Sequence, residues 1–376
     1  MFYHAGKKRK SLEDSELLGT GRKNLLIKWK NASFVAKLSA MKTFVKHAYQ
    51  RTRTGGLIFY SVKDCLVYFT LFCTISRKYP VKVYGLCLMP DHIHDLVEIL
   101  RHCQLTSLIR ESSSRYARAF NLSAGRTGQV FDKSFGSAIK IGGKKIRTAI
   151  AYLYNNPVEK KLCRKAEEYR WNFLAYRNNP NPFSPPIDRK TARKVFRRAL
   201  AEVDASRKQD IPLSYAMLGR LMKDLNKVEC NQLTDYIITA YNCIDYEGAS
   251  EYFSGFDDML MAIHSNTGSE YDINEITTKG DDKVYAQMAN TLRALELPVR
   301  SKRVISLPLE EKRDLAETLY GYTQASQEQL DKFLWIGTKR ITKRRHRKYV
   351  ASNQLNVSAL KQMPARRNVQ AKAASD

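Results

Sequence analysis

Two alternating runs, 81–89 and 92–100, are separated only by Pro90-Asp91. Strands joined by so short a turn must pair antiparallel, because a parallel pair needs a crossover of a dozen residues or more. The rest of the N-terminal half has to be arranged around that hairpin. Upstream, residues 47–52 read as a short strand, followed by Gly55-Gly56 and the apolar run 57–60. Ser61-Val-Lys-Asp64 is a capping box. It starts a helix over 62–78, which Tyr79-Pro80 stops. Downstream, Leu105, Leu108, Ile109, Tyr116 and Phe120 recur at helical spacing. Gly125-Arg-Thr-Gly128 is a loop, and 135–141 can be a strand. Gly142-Gly143 then opens a helix whose apolar face is Ile146, Ala149, Ile150 and Leu153. The order βαββαβα predicts an α+β fold: a ferredoxin-like or RRM-like antiparallel sheet with helices on one face.

The segment 178–186 holds four prolines in nine residues. No helix passes through that, so the main boundary falls there. The expected organisation is a basic leader over 1–40 and a catalytic-type domain over 41–178. A Pro-rich linker over 179–187 follows, then a mainly helical region over 188–336 and a basic tail over 337–376. Within the helical region, 307–319 and 326–334 read as two helices across a short turn, with Ser326 as N-cap. That pair is either a helix-turn-helix reader or a plain scaffold.

The formal net charge is +27, from 64 Lys+Arg against 37 Asp+Glu. So large an excess concerns partners rather than folding, and the usual polyanion is nucleic acid. It is unevenly spread, since residues 245–282 hold ten Asp/Glu and one Lys. No window approaches the roughly 18 apolar residues of a membrane span. No apolar secretory segment follows the N-terminus. Seven scattered cysteines without a CxxC argue against a disulfide framework or a structural zinc site. These readings make a cytoplasmic, nucleoid-associated protein with no membrane partner the expectation. Gly142-Gly-Lys-Lys145 lacks the spacing of a P-loop.

Chemistry concentrates at two places. In His92-Ile-His94 the two imidazoles sit two apart on a strand and project to one face, where one divalent ion can take both. Two polar residues on a solvated sheet face is the plainer alternative. In Tyr152-Leu-Tyr-Asn-Asn156-Pro157, Tyr152 and Asn156 share a helix face with Lys145 and Thr148, opposite the apolar one. An ordinary solvated stripe is the alternative there, and Pro157 is expected to end or kink the helix. Together the two features make sense as one site. A metal on two histidines and a carboxamide polarises a phosphodiester, and a tyrosine hydroxyl attacks the phosphorus.

Met89-Pro-Asp-His-Ile-His94 resembles the HUH motif of the single-tyrosine transposases, which commonly have Asn in place of Asp91. The surrounding sequence is similar to the REP-associated tyrosine transposase branch. The similarity lies in Tyr49-Gln-Arg51, Gly56-Leu-Ile-Phe59, Asp64, Ser114-Arg-Tyr-Ala117, Gly125-Arg-Thr-Gly128, Tyr152-Leu-Tyr-Asn-Asn-Pro-Val158 and Tyr169-Arg-Trp171, in that order over about residues 44–178. By that resemblance His92 and His94 are metal ligands and Asn156 is the third. Tyr152 is the nucleophile, Tyr154 a flanking tyrosine, and the ion Mg2+ or Mn2+. The implied activity is cleavage and rejoining of single-stranded DNA next to hairpins, through a 5′-phosphotyrosine and a free 3′-OH. The resemblance allows a homodimer that shares tyrosines, or a monomer. It also allows a domesticated endonuclease that processes hairpin repeats. A non-catalytic RRM-like binding protein is the rival from another class. Asp95 departs from the family's usual apolar residue and is expected to make a core position polar.

Backbone phosphates need cationic donors and single-stranded bases need aromatic platforms. The candidates are Arg110, Arg115 and Arg118, with Tyr116 interleaved, then Arg126, Lys133, Lys144, Lys145 and Arg147. In the tail, Lys339, Arg340, Arg344 and Arg345 form the densest part of a phosphate-gripping run.

Overall fold

The computed structural model describes residues 43–265, 281–295 and 301–337. The leader 1–40, nearly all of the tail, and with it Lys339, Arg340, Arg344 and Arg345, lie outside the described residues. Among the described residues no helix is long and apolar enough to cross a membrane.

The N-terminal half forms in the expected order: β1 (Phe44–Arg51), α1 (Val62–Ser76), β2 (Val81–Leu88), β3 (His92–Ile99), α2 (His102–Ala124), β4 (Gly136–Lys140) and α3 (Gly143–Glu159). The four strands make one antiparallel sheet in the order β2-β3-β1-β4. The Pro90-Asp91 turn makes β2 and β3 neighbours, as its length demands. β1 then enters beside β3, with Tyr49 opposite His94 and Arg51 opposite His92.

Alternation divides the sheet into two faces. Ala48, Leu86, Ile93 and Val97 join one buried cluster with α1 and α2. Val45, Cys87 and Leu96 join another with Ile146, Ile150 and Leu153 of α3. Thus α1 and α2 share a face as expected, but α3 covers the opposite one. The expectation of all helices on one face is corrected: the apolar face of α3 meets Val45, Cys87 and Leu96, which alternate away from α1 and α2. α3 approaches β2 so closely that a Cβ on Gly85 would stand 2.9 Å from the Leu153 side chain. The Tyr154 hydroxyl then reaches the Tyr84 carbonyl at 3.0 Å.

Two further readings of α3 are decided here. α3 does not stop at Pro157 but runs to Glu159 with the proline inside. A proline so near the end forfeits one backbone N–H bond, while Lys160 N still donates to the Asn156 carbonyl (3.1 Å) and Leu162 N to that of Pro157 (2.9 Å). The plainer alternative for α3, a stripe solvated along its length, does not hold either. Lys145 and Thr148 are exposed, but Tyr152 and Asn156 are 3% and 1% exposed. The end of α3 lies between the sheet and the chain that follows, so both of its faces are covered.

The second half is helical: α4 (Lys194–Lys208), α5 (Tyr215–Leu221), α6 (Lys227–Tyr241), α7 (Tyr246–Ser250), α8 (Phe256–Ser265), α9 (Lys283–Ala294), α10 (Leu309–Tyr322) and α11 (Gln327–Leu334). α1 explains why this half packs where it does. Its run 64–76 is buried all round, and a helix apolar on every side needs partners on every side. The sheet and α2 cover one side. Leu213, Leu218, Leu233 and Ile237 continue the same apolar cluster on the other. α10 and α11 form the expected pair, and the buried side of α11 (Leu330, Phe333, Leu334) packs into this cluster. The face it leaves exposed carries Gln327 and Glu328, with no cation.

Candidate active site

Three elements supply the site. β3 presents His92 and His94 on the face toward α3, β1 presents His47 and Tyr49 beside them, and α3 presents Tyr152 and Asn156. Antiparallel pairing sets the spacing, because Tyr49 and His94 are directly opposed. The Tyr49 ring lies 5.3 Å from that of His92 and 5.1 Å from that of His94. The two motif histidines are 4.8 Å apart, centroid to centroid. The Tyr152 ring packs edge-on against both His94 (5.8 Å) and His47 (6.0 Å). All four candidate catalytic and ligand residues therefore meet in one place, within one chain.

Hydrogen bonding assigns the ring nitrogens. The Asn156 amide Nδ2 donates to His94 Nε2 at 3.1 Å. With the carboxamide in this orientation His94 Nε2 accepts and carries no proton, so its proton sits on Nδ1, facing His47 Nε2 at 3.0 Å. Burial, followed by the neighbouring His92, His47 and Lys160, holds His94 well below the usual imidazole range. It is thus a neutral ring with its Nε2 lone pair on the Asn156 side. His92 is oriented differently: its Nδ1 lies 2.6 Å from Asp91 Oδ1. That leaves His92 Nε2 as the free end, and it is a buried atom with no hydrogen-bond partner. Asn156 Oδ1 is the other such atom at this place.

Two buried polar atoms without partners, on side chains that flank the His94 Nε2 lone pair, are what a cation would satisfy once His92 is neutral. A half-turn of the Asn156 carboxamide exchanges its nitrogen and oxygen and sets Oδ1 beside the His94 lone pair. The donor set of two imidazole nitrogens and one amide oxygen fits a divalent ion. Among the described residues no group of three or more His, Cys, Asp and Glu could hold a metal. Any ion here would therefore depend on the carboxamide.

The acids around the site behave differently. Asp91 is buried, which raises a carboxyl, yet His92 and Lys332 hold it well below the usual carboxylate range. Asp282 is pushed up to about 6, by burial first and then by Asp91. Asp95, the next residue along β3 from His94, faces the opposite layer and is pushed up to about 8 by burial. The polar core position expected at Asp95 is real.

The cationic candidates divide into groups. Arg110 and Lys133 line a cleft of about 460 Å³ with Gln50, Ser113, Phe131 and Phe135. Gln50 Oε1 accepts there from Ser113 Oγ at 2.7 Å. Lys144, Lys145 and Arg147 are exposed together at the start of α3, and Arg118 is exposed on α2. Arg115 is paired with Glu111 at 3.3 Å. Arg126 lies 4.6 Å over the Trp335 ring and donates to Asn121 Oδ1 at 2.7 Å. Tyr116 is no stacking platform. It is fully buried, and its hydroxyl donates to the Ile58 carbonyl at 3.0 Å. The reason is that it lies on the inner stripe of α2, while the arginines around it lie on the outer one.

Sequence reasoning did not assign His47 or Lys332 to the site. His47 and Tyr49 carry a faint signal, two ring residues two apart on a strand, but only the register places them beside His94. Lys332 carries none.

The family model described as "Transposase IS200 like" matches residues 60–156, a span that contains His92, His94, Tyr152 and Asn156. A search of curated proteins finds no match. Among solved structures, that of a REP-associated tyrosine transposase bound to a REP hairpin is 14% identical, with 40% of this chain and 91% of that chain covered. Its TM-score is 0.30, a likeness that carries no weight for fold or function.

Proposed function

We propose that this chain, whose residues 60–156 match the family model described as "Transposase IS200 like", cleaves and rejoins single-stranded DNA beside hairpins through a tyrosine-linked intermediate. The observation that carries the reading is the meeting of Tyr152 and Asn156, one turn apart on α3, with His94 and the unpartnered His92 Nε2.

Tyr152 Oη attacks the phosphorus, the new O–P bond forms, and the bond from phosphorus to O3′ breaks. The tyrosine loses its proton and the departing O3′ gains one. The 5′-phosphate is left on tyrosine beside a free 3′-OH. Attack by another 3′-OH reverses the exchange and joins strands. Bond types are conserved, so no nucleotide hydrolysis is required. His92, His94 and Asn156 would hold Mg2+ or Mn2+, which when bound polarises the phosphoryl oxygens. His47 keeps His94 in the tautomer whose Nε2 can ligate. The ring contact between Tyr152 and His94 of the same chain supports a site complete in one copy, so a homodimer is not needed to supply the nucleophile. Arg110 and Lys133 in their cleft, together with Lys144, Lys145 and Arg147, are the cations best placed to follow a DNA backbone.

The test uses labelled single-stranded hairpin oligonucleotides with and without Mg2+ or Mn2+, resolved on a denaturing gel. A covalent protein–DNA band is expected, absent in Tyr152→Phe and in His92→Ala. Cleavage that persists in Tyr152→Phe would assign the attack to water instead. Binding without any adduct would make the chain a non-catalytic nucleic-acid binder.

A further inference from the structure

Asp91 joins the site to the far end of the chain. One carboxylate oxygen meets His92 Nδ1, and the other accepts from Lys332 Nζ at 2.6 Å. Lys332 lies on α11, 241 residues along the sequence. The contact is sheltered, with side-chain exposures of 15% for Asp91 and 11% for Lys332.

The backbone around this bridge is fixed from both sides by one segment. Ile58 N and Phe59 N both donate to the Pro90 carbonyl, at 2.7 and 3.1 Å, which pins the turn immediately before Asp91. The same segment grips α11. Leu57 N donates to the Lys332 carbonyl (3.1 Å), the Tyr60 hydroxyl to the Phe333 carbonyl (2.6 Å), and Trp335 Nε1 to the Leu57 carbonyl (3.0 Å). The turn and the helix end therefore share an anchor, and the bridge spans a gap of fixed width. Asp282 is the other carboxyl near the pair.

A carboxylate that accepts from a histidine Nδ1–H fixes both the tautomer and the rotation of the ring. Here the ring so fixed is the one whose Nε2 has no partner. The half-buried Asp91 carboxylate is held at both oxygens, one by His92 and the other by Lys332. We propose that Lys332 is a positioning residue of the transposase site, locking Asp91 and through it the His92 ring, so that the C-terminal helices complete a site built by the N-terminal half. This rests on the reading that His92, His94 and Asn156 hold a divalent ion.

The experiment measures Mn2+ binding to the full chain by the loss of the free-ion electron paramagnetic resonance signal, with thermal unfolding recorded on each sample. Lys332→Met is expected to weaken Mn2+ binding about tenfold, the lower end of the usual effect of groups that orient a metal-binding histidine. Should that variant not fold, Lys332→Gln is expected to read the same weakening, because it too removes the charge. The pair Asp91→Asn with Lys332→Met should recover affinity to within about threefold of the parent, since a carboxamide oxygen still accepts from His92 and needs no cation. Wild-type affinity in both single Lys332 variants would overturn the proposal. So would a double variant no better than Lys332→Met, because a merely structural bridge predicts no rescue. If the parent binds no Mn2+, or His92→Ala binds it equally well, the metal reading itself fails and this proposal with it. Loss in the single Lys332 variants with recovery in the double variant supports both.

Discussion

Asp95 occupies the middle of β3, on the sheet face away from His94, opposite Ala48 on one side and Leu86 on the other. It is 2% exposed, and its Oδ1 has no hydrogen-bond partner. Burial pushes its carboxyl up to about 8, against about 3.9 in an unfolded chain. The folded protein thus keeps a proton that the unfolded chain has already released. Between those two values unfolding releases a proton, so stability falls as pH rises. The contribution of this group is complete below about pH 4 and lost as pH passes 8. Asp95→Asn keeps the shape and removes the titration. From pH 5 to pH 9 the stability of the parent should drop relative to the variant by about 4 kcal/mol, at about 1.4 kcal/mol for each factor of ten in proton affinity. Urea titrations of both proteins at pH 5, 7 and 9 measure this directly, and the difference between them cancels every other titrating group. A gap that stays constant across that range would show that Asp95 is ionised in the folded chain, and the burial argument would be wrong.

Other perturbations test other parts. Gly56→Ala would put a Cβ 2.3 Å from Cδ1 of Trp335, whose ring is stacked on Phe120 and tied to the Leu57 carbonyl. Urea unfolding should show a loss of about 1–3 kcal/mol. Asp235 is fully buried and accepts from Tyr176 Oη (2.6 Å), Ser184 Oγ (2.8 Å) and Phe183 N (3.1 Å), with Arg170 Nη2 at 3.2 Å. Asp235→Ala strands the arginine and should cost about 3–5 kcal/mol in the same assay, while Arg189→Ala at the surface costs under about 1. His47→Ala removes the acceptor for His94 Nδ1. A stability loss of about 1–3 kcal/mol is expected from the orphaned donor, together with weaker Mn2+ binding; unchanged binding would show that His94 needs no such support.

The hairpin 81–100 and its neighbours were legible because their signals are local. A turn two residues long allows one strand arrangement, Ser61 and Asp64 cap the helix they adjoin, and alternation assigns His92 and His94 to a single face. The Tyr152–Asn156 spacing equally guarantees one helix face. What the local pattern could not supply was which surface covers that face. Tyr152 and Asn156 read only as sharing the polar face of their helix, and Tyr116 as available to bases, because residue type fixes a stripe but not its neighbour. Pro157 does not end its helix for a related reason: a helix loses little to a proline when the following turn closes its carbonyls elsewhere.

The sequence by itself determined the strand–helix order, the sharing of a face by the two motif histidines and the presence of a tyrosine one turn from an asparagine. All of these follow from periodicities of two and 3.6 residues. Only the tertiary structure decided that His47 sits behind His94, that Asp95 is sealed in a core, and that Lys332 of the last described helix reaches Asp91. Those contacts join residues 47 and 241 positions apart. Over such separations no backbone period relates one side chain to another; the segment 57–60, bonded both to the Pro90 carbonyl and to α11, holds the C-terminal helix at the site.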